Sequence, residues 1–330
     1  MNNPLKTELS VDEARNAYLI SVTGARSANT ARSYANALNV FMRVLKEHWV
    51  EPTSPVSGIT EEAISWTLSY LKNYSSSTER LYAQAIKSFY EFLVAERIAD
   101  INLPRLTMFI KHRSRKPGQR LPQFPRDEME KVLDNAEKMS SNLPPHPNVR
   151  LREMRDRAFL LTLADTGLRV HEACNLRRGD LDWNEGRAII IGKGNKQAVI
   201  RFSNRSMQAI KDYLSLRIQL DGSSGHPLPS LPLFARHDRG SGKKVKPITT
   251  ATGRNIVKTR VRQFLGEEAQ GHITPHSFRH FFVTTVLRAS GNLKLAQELA
   301  RHANIQVTQR YAHLSDDELD KGYHEIFEKK

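Results

Sequence analysis

Residues 111–126, KHRSRKPGQRLPQFPR, divide this chain more decisively than any other stretch. The segment is basic, holds three prolines and offers few apolar side chains, so it cannot join a hydrophobic core and reads as a linker. A chain of 330 residues is long for one core and comfortable for two. The expected organisation is therefore a helical domain over 8–112, a basic linker over 113–126, a mixed domain over 127–314 and a C-terminal helix over 315–330. Lys111, Arg113, Arg115 and Lys116 are the linker cations that can lie along a polyanion, although a charge run also serves as a solvated face.

The first block reads as all helical. Ser10 with Glu13 fits a capping box opening a helix through Ala14, Ala17, Tyr18 and Leu19. Asn29 or Thr30 is the expected cap of a longer helix whose apolar set includes Tyr34, Leu38, Phe41, Met42 and Leu45, and Pro52 and Pro55 close that region. Thr60 with Glu61 and Glu62 starts a third helix through Ile64, Leu68 and Leu71. The polar run at 75–78 starts a fourth, carrying Leu81, Ile86, Phe89, Phe92 and Leu93 until Pro104 stops the pattern. Four helices are thus expected. Thr30, Arg32 and Ser77 lie at helix starts, where backbone amides and the helix dipole favour phosphate; ordinary capping explains each of them equally well.

Past the linker, a helix over 128–136, a polar insert over 140–150 and a helix over 154–166 lead to Thr166-Gly167-Leu168-Arg169-Val170-His171-Glu172. Gly167 can take a left-handed conformation, so Arg169 is presented at a chain reversal, with Glu172 three residues on to orient it or to form a plain surface pair. Strands over 187–191 and 198–202 flank Gly192-Lys193-Gly194-Asn195-Lys196, a β-hairpin whose tip carries Lys193 and Lys196. Helices over 203–220 and 250–266 bracket a segment rich in Gly, Pro and charge. That segment is no phosphate-binding loop, since its first Gly and closing Ser or Thr are missing.

Residues 274–311 concentrate the reactive side chains. Pro275 suits a first helical turn, and Phe278, Phe281, Phe282, Val286 and Leu287 supply an apolar face. His276 and Arg279 project from one side of that helix and can grip one anion together. Ser290-Gly291-Asn292 breaks it, and a second apolar run, including Leu295, carries the chain to His302, with Tyr311 nine residues later. His272, His276 and His280 also stand at four-residue spacing, but neither a His-Glu-x-x-His pattern nor a thiolate set accompanies them, so no metal is expected.

The formal charge of +15, from 50 Lys and Arg against 35 Asp and Glu, is spread through folded-looking sequence, which points to a polyanionic partner. One cysteine excludes an internal disulfide framework, no apolar run reaches membrane-spanning length, and the N-terminus lacks a secretory core. The expected location is the cytoplasm, with nucleoid association.

Four separated pieces, TGLRVHE, GKGNK, HSFRH and RHANIQVTQRYAH, stand in an order and spacing that resemble the tyrosine recombinases, or phage integrases, and within them the compact Xer-like branch. The resemblance spans about residues 10–320. It implies a mainly α fold with a small β-sheet or hairpin in the catalytic domain, built as a two-domain C-shaped DNA clamp: a helical, SAM-like core-binding domain plus an α+β catalytic domain. It assigns Arg169 and Arg279 as the catalytic arginines, Lys193 as the hairpin lysine, His276 and His302 as the catalytic histidines, Tyr311 as nucleophile and Glu172 as the supporting acid. Arg301 departs from the pattern, standing where a Gly usually precedes the second histidine, with an altered turn or an added phosphate contact as the expected result. Segments 140–150 and 221–246 are longer than in minimal Xer proteins.

The implied reaction uses these residue types well. Two guanidiniums can stabilise the extra negative charge of a pentacoordinate phosphorane, so neither metal nor other cofactor is required. His276 is the candidate to help deprotonate Tyr311, Lys193 or Lys196 to protonate the 5′ oxygen, and His302 to hold a phosphate oxygen. A 3′-phosphotyrosyl link conserves the bond energy, so resealing needs no ATP. The implied partners are duplex DNA with inverted-repeat half-sites and further copies of the chain, as a homotetramer on two sites, with an accessory protein left open. The tail over 315–330 reads as an amphipathic helix that packs on a neighbouring protomer. Integration or excision of a mobile element and Xer-type resolution both fit; the alternatives are a type IB topoisomerase-like nicking-closing enzyme and a non-catalytic DNA-binding protein.

Overall fold

The computed structural model describes residues 9–115, 125–141, 144–191, 197–238, 244–269, 271–309 and 311. The expected hairpin tip with Lys193 and Lys196, the linker residue Lys116 and the tail over 315–330 lie outside the described residues. The chain divides into two compact units, Met1–Arg120 and Leu121–Lys330.

In the first unit the described helices are α1 (Val11–Ala25), α2 (Ala28–Glu47), α3 (Glu62–Leu71), α4 (Ser76–Ala95) and α5 (Leu103–Arg113). Ser10 and Glu13 cap α1 reciprocally as expected, the Ser10 amide donating to Glu13 Oε2 at 2.8 Å and the Glu13 amide to Ser10 Oγ at 3.3 Å. The cap of α2 is Ser27, not Asn29 or Thr30: the Thr30 amide donates to Ser27 Oγ at 3.3 Å. Both choices are polar residues near one helix start, and the extended backbone of Ser27 decides between them. Pro104 does not end the helical region but opens α5, because a proline in the first turn forfeits no helical hydrogen bond. Five helices therefore stand where four were expected. Their buried faces supply Tyr18, Leu38, Phe41, Ile64, Leu68, Ile86, Phe89 and Leu93, while Leu81 of the expected apolar set faces solvent, 43% exposed.

Lys111 and Arg113 belong to the last turn of α5 and are exposed, as Arg32 and Ser77 are in α2 and α4. Arg115 is committed within its own unit. Its backbone amide (2.9 Å) and Nε (2.5 Å) donate to Glu79, whose fully buried carboxylate needs such a partner, and its Nη2 donates to the Tyr74 carbonyl.

The second unit is built around α7 (Pro147–Thr166), which is buried on nearly every side of its later turns and packs against α6 (Arg126–Lys138), α9 (Asn204–Gly222) and α11 (Pro275–Ser290). It starts seven residues before the expected Met154, again at a proline in the first helical turn. The remaining described elements are α8 (Val170–Asn175), α10 (Thr250–Leu265), α12 (Leu293–Ala300) and α13 (Ile305–Gln309), with an antiparallel sheet ordered β1 (Leu181–Asp182), β2 (Arg187–Ile191), β3 (Gln197–Arg201). The two-residue β1 adds an edge to the expected hairpin, which is in register with Ala188 opposite Ile200 and Ile190 opposite Ala198. Ala188, Ile190 and Ile200 face the core, leaving Ile189, Ile191 and Val199 outward.

Two buried charge networks tie these elements together. Arg217, fully buried in α9, donates to Asp221 (2.8 Å), to the Tyr213 hydroxyl (3.0 Å) and to the carbonyls of Pro232 (2.8 Å) and Leu233 (2.9 Å). Asp156 of α7 accepts from Arg155 and, at 2.7 and 2.9 Å, from Arg260 of α10. Each buried guanidinium thus has the full set of acceptors that burial demands.

Candidate active site

Arg169 is aimed by the way α7 ends. Thr166 turns its hydroxyl back onto the Thr162 carbonyl (2.6 Å) and accepts the Leu168 amide (3.2 Å), and Gly167 follows at φ 59°, ψ 20°. A Cβ at Gly167 would run into the ring of Phe282 on α11, so both the conformation and the close helix approach require glycine. Arg169 then takes an extended backbone as the residue capping α8. Glu172 reaches back, accepting from the Arg169 amide at 2.8 Å and from its Nη1 at 3.1 Å. The Glu172 side chain is 5% exposed, whereas that of Arg169 is 45% exposed and open to a ligand.

Arg279, one helical turn after His276 on α11, is 3% exposed. Its Nη1 donates to the Gly167 carbonyl at 2.5 Å and its Nη2 to the Ala300 carbonyl at the end of α12. A single guanidinium therefore binds the α7–α8 turn and the α12 terminus to α11. Burial first, then the charges of Arg169 and Arg301, bring its pKa down to about 10, which leaves it charged at neutral pH. His276 is held below its ordinary pKa by desolvation and then by Arg279 and Arg169, so it is a neutral imidazole able to accept a proton.

His302 follows a left-handed residue, Arg301, at φ 57°, ψ 45°. Its amide donates to the Gln297 carbonyl (3.0 Å), Gln297 Nε2 donates to its carbonyl (3.0 Å), and its Nδ1 pairs with the hydroxyl of the buried Thr308 at 2.8 Å. The imidazole is thereby oriented through one ring nitrogen. Burial, followed by Arg279 and Arg169, lowers its pKa to about 4. Tyr311 lies just beyond α13, its amide donating to the Thr308 carbonyl (2.9 Å). Its ring stands 4.5 Å from that of His280, edge to face, and 6.0 Å from that of His302, nearly parallel. It rests on an apolar cluster of Val283, Ala296 and Ala300 with Phe282, Val286 and Leu287.

The structure thus brings Arg169, Glu172, His276, Arg279, His302 and Tyr311 together from three separated motifs. Lys193, the sixth expected catalytic residue, lies outside the described residues. Three members of the cluster were not anticipated in these places. His280 packs on Tyr311, a proximity that its position four residues after His276 hints at. Thr308 orients His302, which nothing in the sequence signals. Arg301 meets the left-handed requirement of the α12 terminus despite its side chain and donates through Nη2 to Glu172 Oε2 at 3.1 Å. Burial raises the Glu172 carboxyl, but the Arg169 amide and the charges of Arg301 and Arg169 outweigh it, leaving a carboxylate with a lowered pKa. Thr30, in the first unit, shares a hydrogen bond with Ser27 at the start of α2 (2.9 Å), and Ser77 one with Ser75 at the start of α4 (3.0 Å).

Comparison with known proteins gives two family matches: the phage integrase family over residues 123–318 and the phage integrase N-terminal SAM-like domain over 16–97. The chain is 30% identical over 298 residues to tyrosine recombinase XerC of Bacillus pumilus, covering 90% of each chain. It is 29% identical over 305 residues to the Bacillus subtilis XerC, again covering 90% of each. Among solved structures it resembles the XerH site-specific recombinase bound to difH substrate, with a TM-score of 0.66 at 21% identity, covering 96% of this chain and 84% of that one. A lambda integrase dimer bound to a COC′ core site matches with a TM-score of 0.64 at 17% identity, covering 92% and 96%.

Proposed function

The chain belongs to the phage integrase family of tyrosine recombinases, and from that membership we propose that it is a site-specific DNA recombinase that cuts and rejoins duplex DNA through a 3′-phosphotyrosyl intermediate on Tyr311. The observation that carries the reading is the buried Arg279 guanidinium, hydrogen-bonded at once beside Arg169 and beside His302, which makes one site of three separate motifs.

In this proposal the scissile phosphate sits against Arg169 and Arg279. Both donate to its non-bridging oxygens and stabilise the charge that grows as phosphorus becomes pentacoordinate. Tyr311 Oη forms the new bond to phosphorus. Its proton passes to His276, whose lowered pKa keeps it in the accepting form at neutral pH. The bond to the 5′ oxygen breaks, and that oxygen takes a proton from Lys193, or from its hairpin neighbour Lys196. Nδ1 of His302 is already occupied by Thr308, and the other ring nitrogen is assigned to a phosphate oxygen. Attack by a 5′ hydroxyl on the phosphotyrosyl bond reverses these steps, so resealing draws on no external energy source. Two guanidiniums charged at neutral pH supply the charge stabilisation for which a metal would otherwise be recruited.

The domain roles follow the same reading. Residues 8–112 form the core-binding domain, with Thr30, Arg32, Ser77, Lys111 and Arg113 as candidate DNA contacts, and 113–126 link it to the catalytic domain over 127–314. Arg115, engaged by Glu79 through Nε yet with a 40% exposed side chain, stays a candidate beside them. Four protomers act on two sites built from inverted half-sites, each tail over 315–330 docking on a neighbour. Such work places the protein in the cytoplasm, on DNA. Among the described residues no helix is long and apolar enough to cross a membrane.

The test is to incubate the protein with genomic DNA spanning its gene and map the covalently attached strands. Wild type is expected to leave a 3′ link at one discrete site, and Tyr311→Phe to bind that site and trap nothing. A covalent complex persisting in the variant would remove Tyr311 from the mechanism.

A further inference from the structure

We propose that Arg301 is a positioning residue of this site: by holding the Glu172 carboxylate in an ion pair of its own, it releases the Arg169 guanidinium to the scissile phosphate. The inference rests on the proposed recombinase function, in which Arg169 binds that phosphate.

The geometry is one anion shared by two cations. Glu172 Oε1 accepts from Arg169 Nη1 at 3.1 Å, while Oε2 accepts from the Arg169 amide at 2.8 Å and from Arg301 Nη2 at 3.1 Å. The two guanidiniums differ in circumstance. That of Arg169 is nearly half exposed, and that of Arg301 is turned inward, 13% exposed, with an Nε that finds no acceptor among the described residues. A surface position would have hydrated this cation fully, so facing Glu172 is a commitment to one partner. Its backbone points the same way. At φ 57° the position suits glycine, and an L residue is carried there against local preference.

An arriving phosphate is a second anion, and it competes with Glu172 for Arg169. Without Arg301, moving Arg169 toward the phosphate would leave a buried carboxylate stabilised by a single backbone amide and facing incoming negative charge, an arrangement that low-dielectric surroundings penalise. With Arg301 in place the carboxylate keeps a full counter-charge whichever way Arg169 leans, and the Arg169 amide stays anchored. Glu172 can then orient the α8 terminus without sequestering the arginine it orients.

The test uses a nicked duplex carrying the mapped attachment site, with single-turnover formation of the Tyr311 complex, equilibrium DNA binding and thermal melting measured in parallel. Arg301→Gly suits the left-handed backbone, so its melting temperature is expected within a few degrees of wild type. Its cleavage rate should fall by at least roughly tenfold while DNA affinity stays within about twofold. Arg301→Lys should recover part of the rate. The double variant Arg301→Gly/Glu172→Gln should recover more than Arg301→Gly alone, since the carboxylate that needs neutralising is gone; a residue that merely braced the fold would give no such rescue. An unchanged rate in Arg301→Gly, a loss of affinity in step with rate, or a double variant no faster than the single one would each overturn the proposal, the second by making Arg301 a direct phosphate ligand. Failure of the wild type to form any Tyr311-dependent complex would instead overturn the function on which the proposal stands, and the proposal with it.

Discussion

At the scale of single residues, the two arginines assigned to the phosphate have unequal duties. Arg169 presents an open side chain whose described hydrogen-bond partner is Glu172, so Arg169→Ala is expected to lower the cleavage rate by several orders of magnitude with little effect on melting. Arg279 also satisfies the carbonyls of Gly167 and Ala300 from a buried position. Its replacement by Ala strands two buried acceptors, each costing about 1–3 kcal/mol, so the same loss of rate should come with a clear fall in melting temperature. Single-turnover cleavage and thermal melting of both variants check this, and equal melting temperatures would contradict the structural duty of Arg279. Affinity for DNA, spread over many basic side chains, should change modestly in Arg169→Ala.

Among the elements, the α7–α8 turn is where fold and site are most tightly coupled. Gly167→Ala meets both a left-handed backbone and the Phe282 ring, and the two penalties together should exceed about 2 kcal/mol. Relief of the clash requires α11 to move away from α7. That motion pulls Arg279 from the Gly167 carbonyl, so cleavage should fall further than stability alone explains; a stable but inactive Gly167→Ala protein at low temperature would be the signature. The packing of α11 with the segment that follows α12 is coupled to pH. His302 and His280 have folded-state pKa values near 4 against an ordinary value of 6.5, both through burial first. The unfolded chain therefore binds more protons than the folded one between those values, and stability rises with pH across that window. Melting temperature is expected to drop as pH falls from about 6.5 toward 4, and His302→Asn should flatten part of that slope.

For the whole molecule, the net charge of +15 belongs to a chain of two separately cored units, and the proposed function assigns DNA contacts to both of them. In the proposed function the tail over 315–330 is assigned to contacts between copies, since the short amphipathic helix that its sequence predicts would be marginal unless its apolar face docked. Truncation after Leu314 is expected to leave binding to one half-site nearly intact and to weaken cooperative binding to paired half-sites, measured by gel shift at matched protein concentrations. Normal assembly of the truncated protein on paired sites would make the tail a cap on its own catalytic domain.

What the sequence determined by itself was local and periodic. The reciprocal cap of Ser10 and Glu13, the presence of a hairpin after residue 187, the left-handed Gly167 and the helix over 275–290 come from spacing and from the few conformations each residue allows, whereas the hairpin register and the one-residue shift of its second strand to 197–201 do not. The residues proposed for the site were picked out because motif order resembles a known family. Pro104 misled, because the same ring that ends a helix also suits its first turn, and the polar insert expected over 140–150 hid the start of α7 at Pro147 for the same reason. Tertiary structure alone decided that Leu81 faces solvent, that Arg115 serves a buried Glu79, that Thr308 holds His302 and that Arg301 turns inward to Glu172. Each of those outcomes depends on a partner brought near by packing. Sequence periodicity specifies which face of an element is apolar, whereas the match of a buried charge to its counter-charge is settled only when separated segments meet in space.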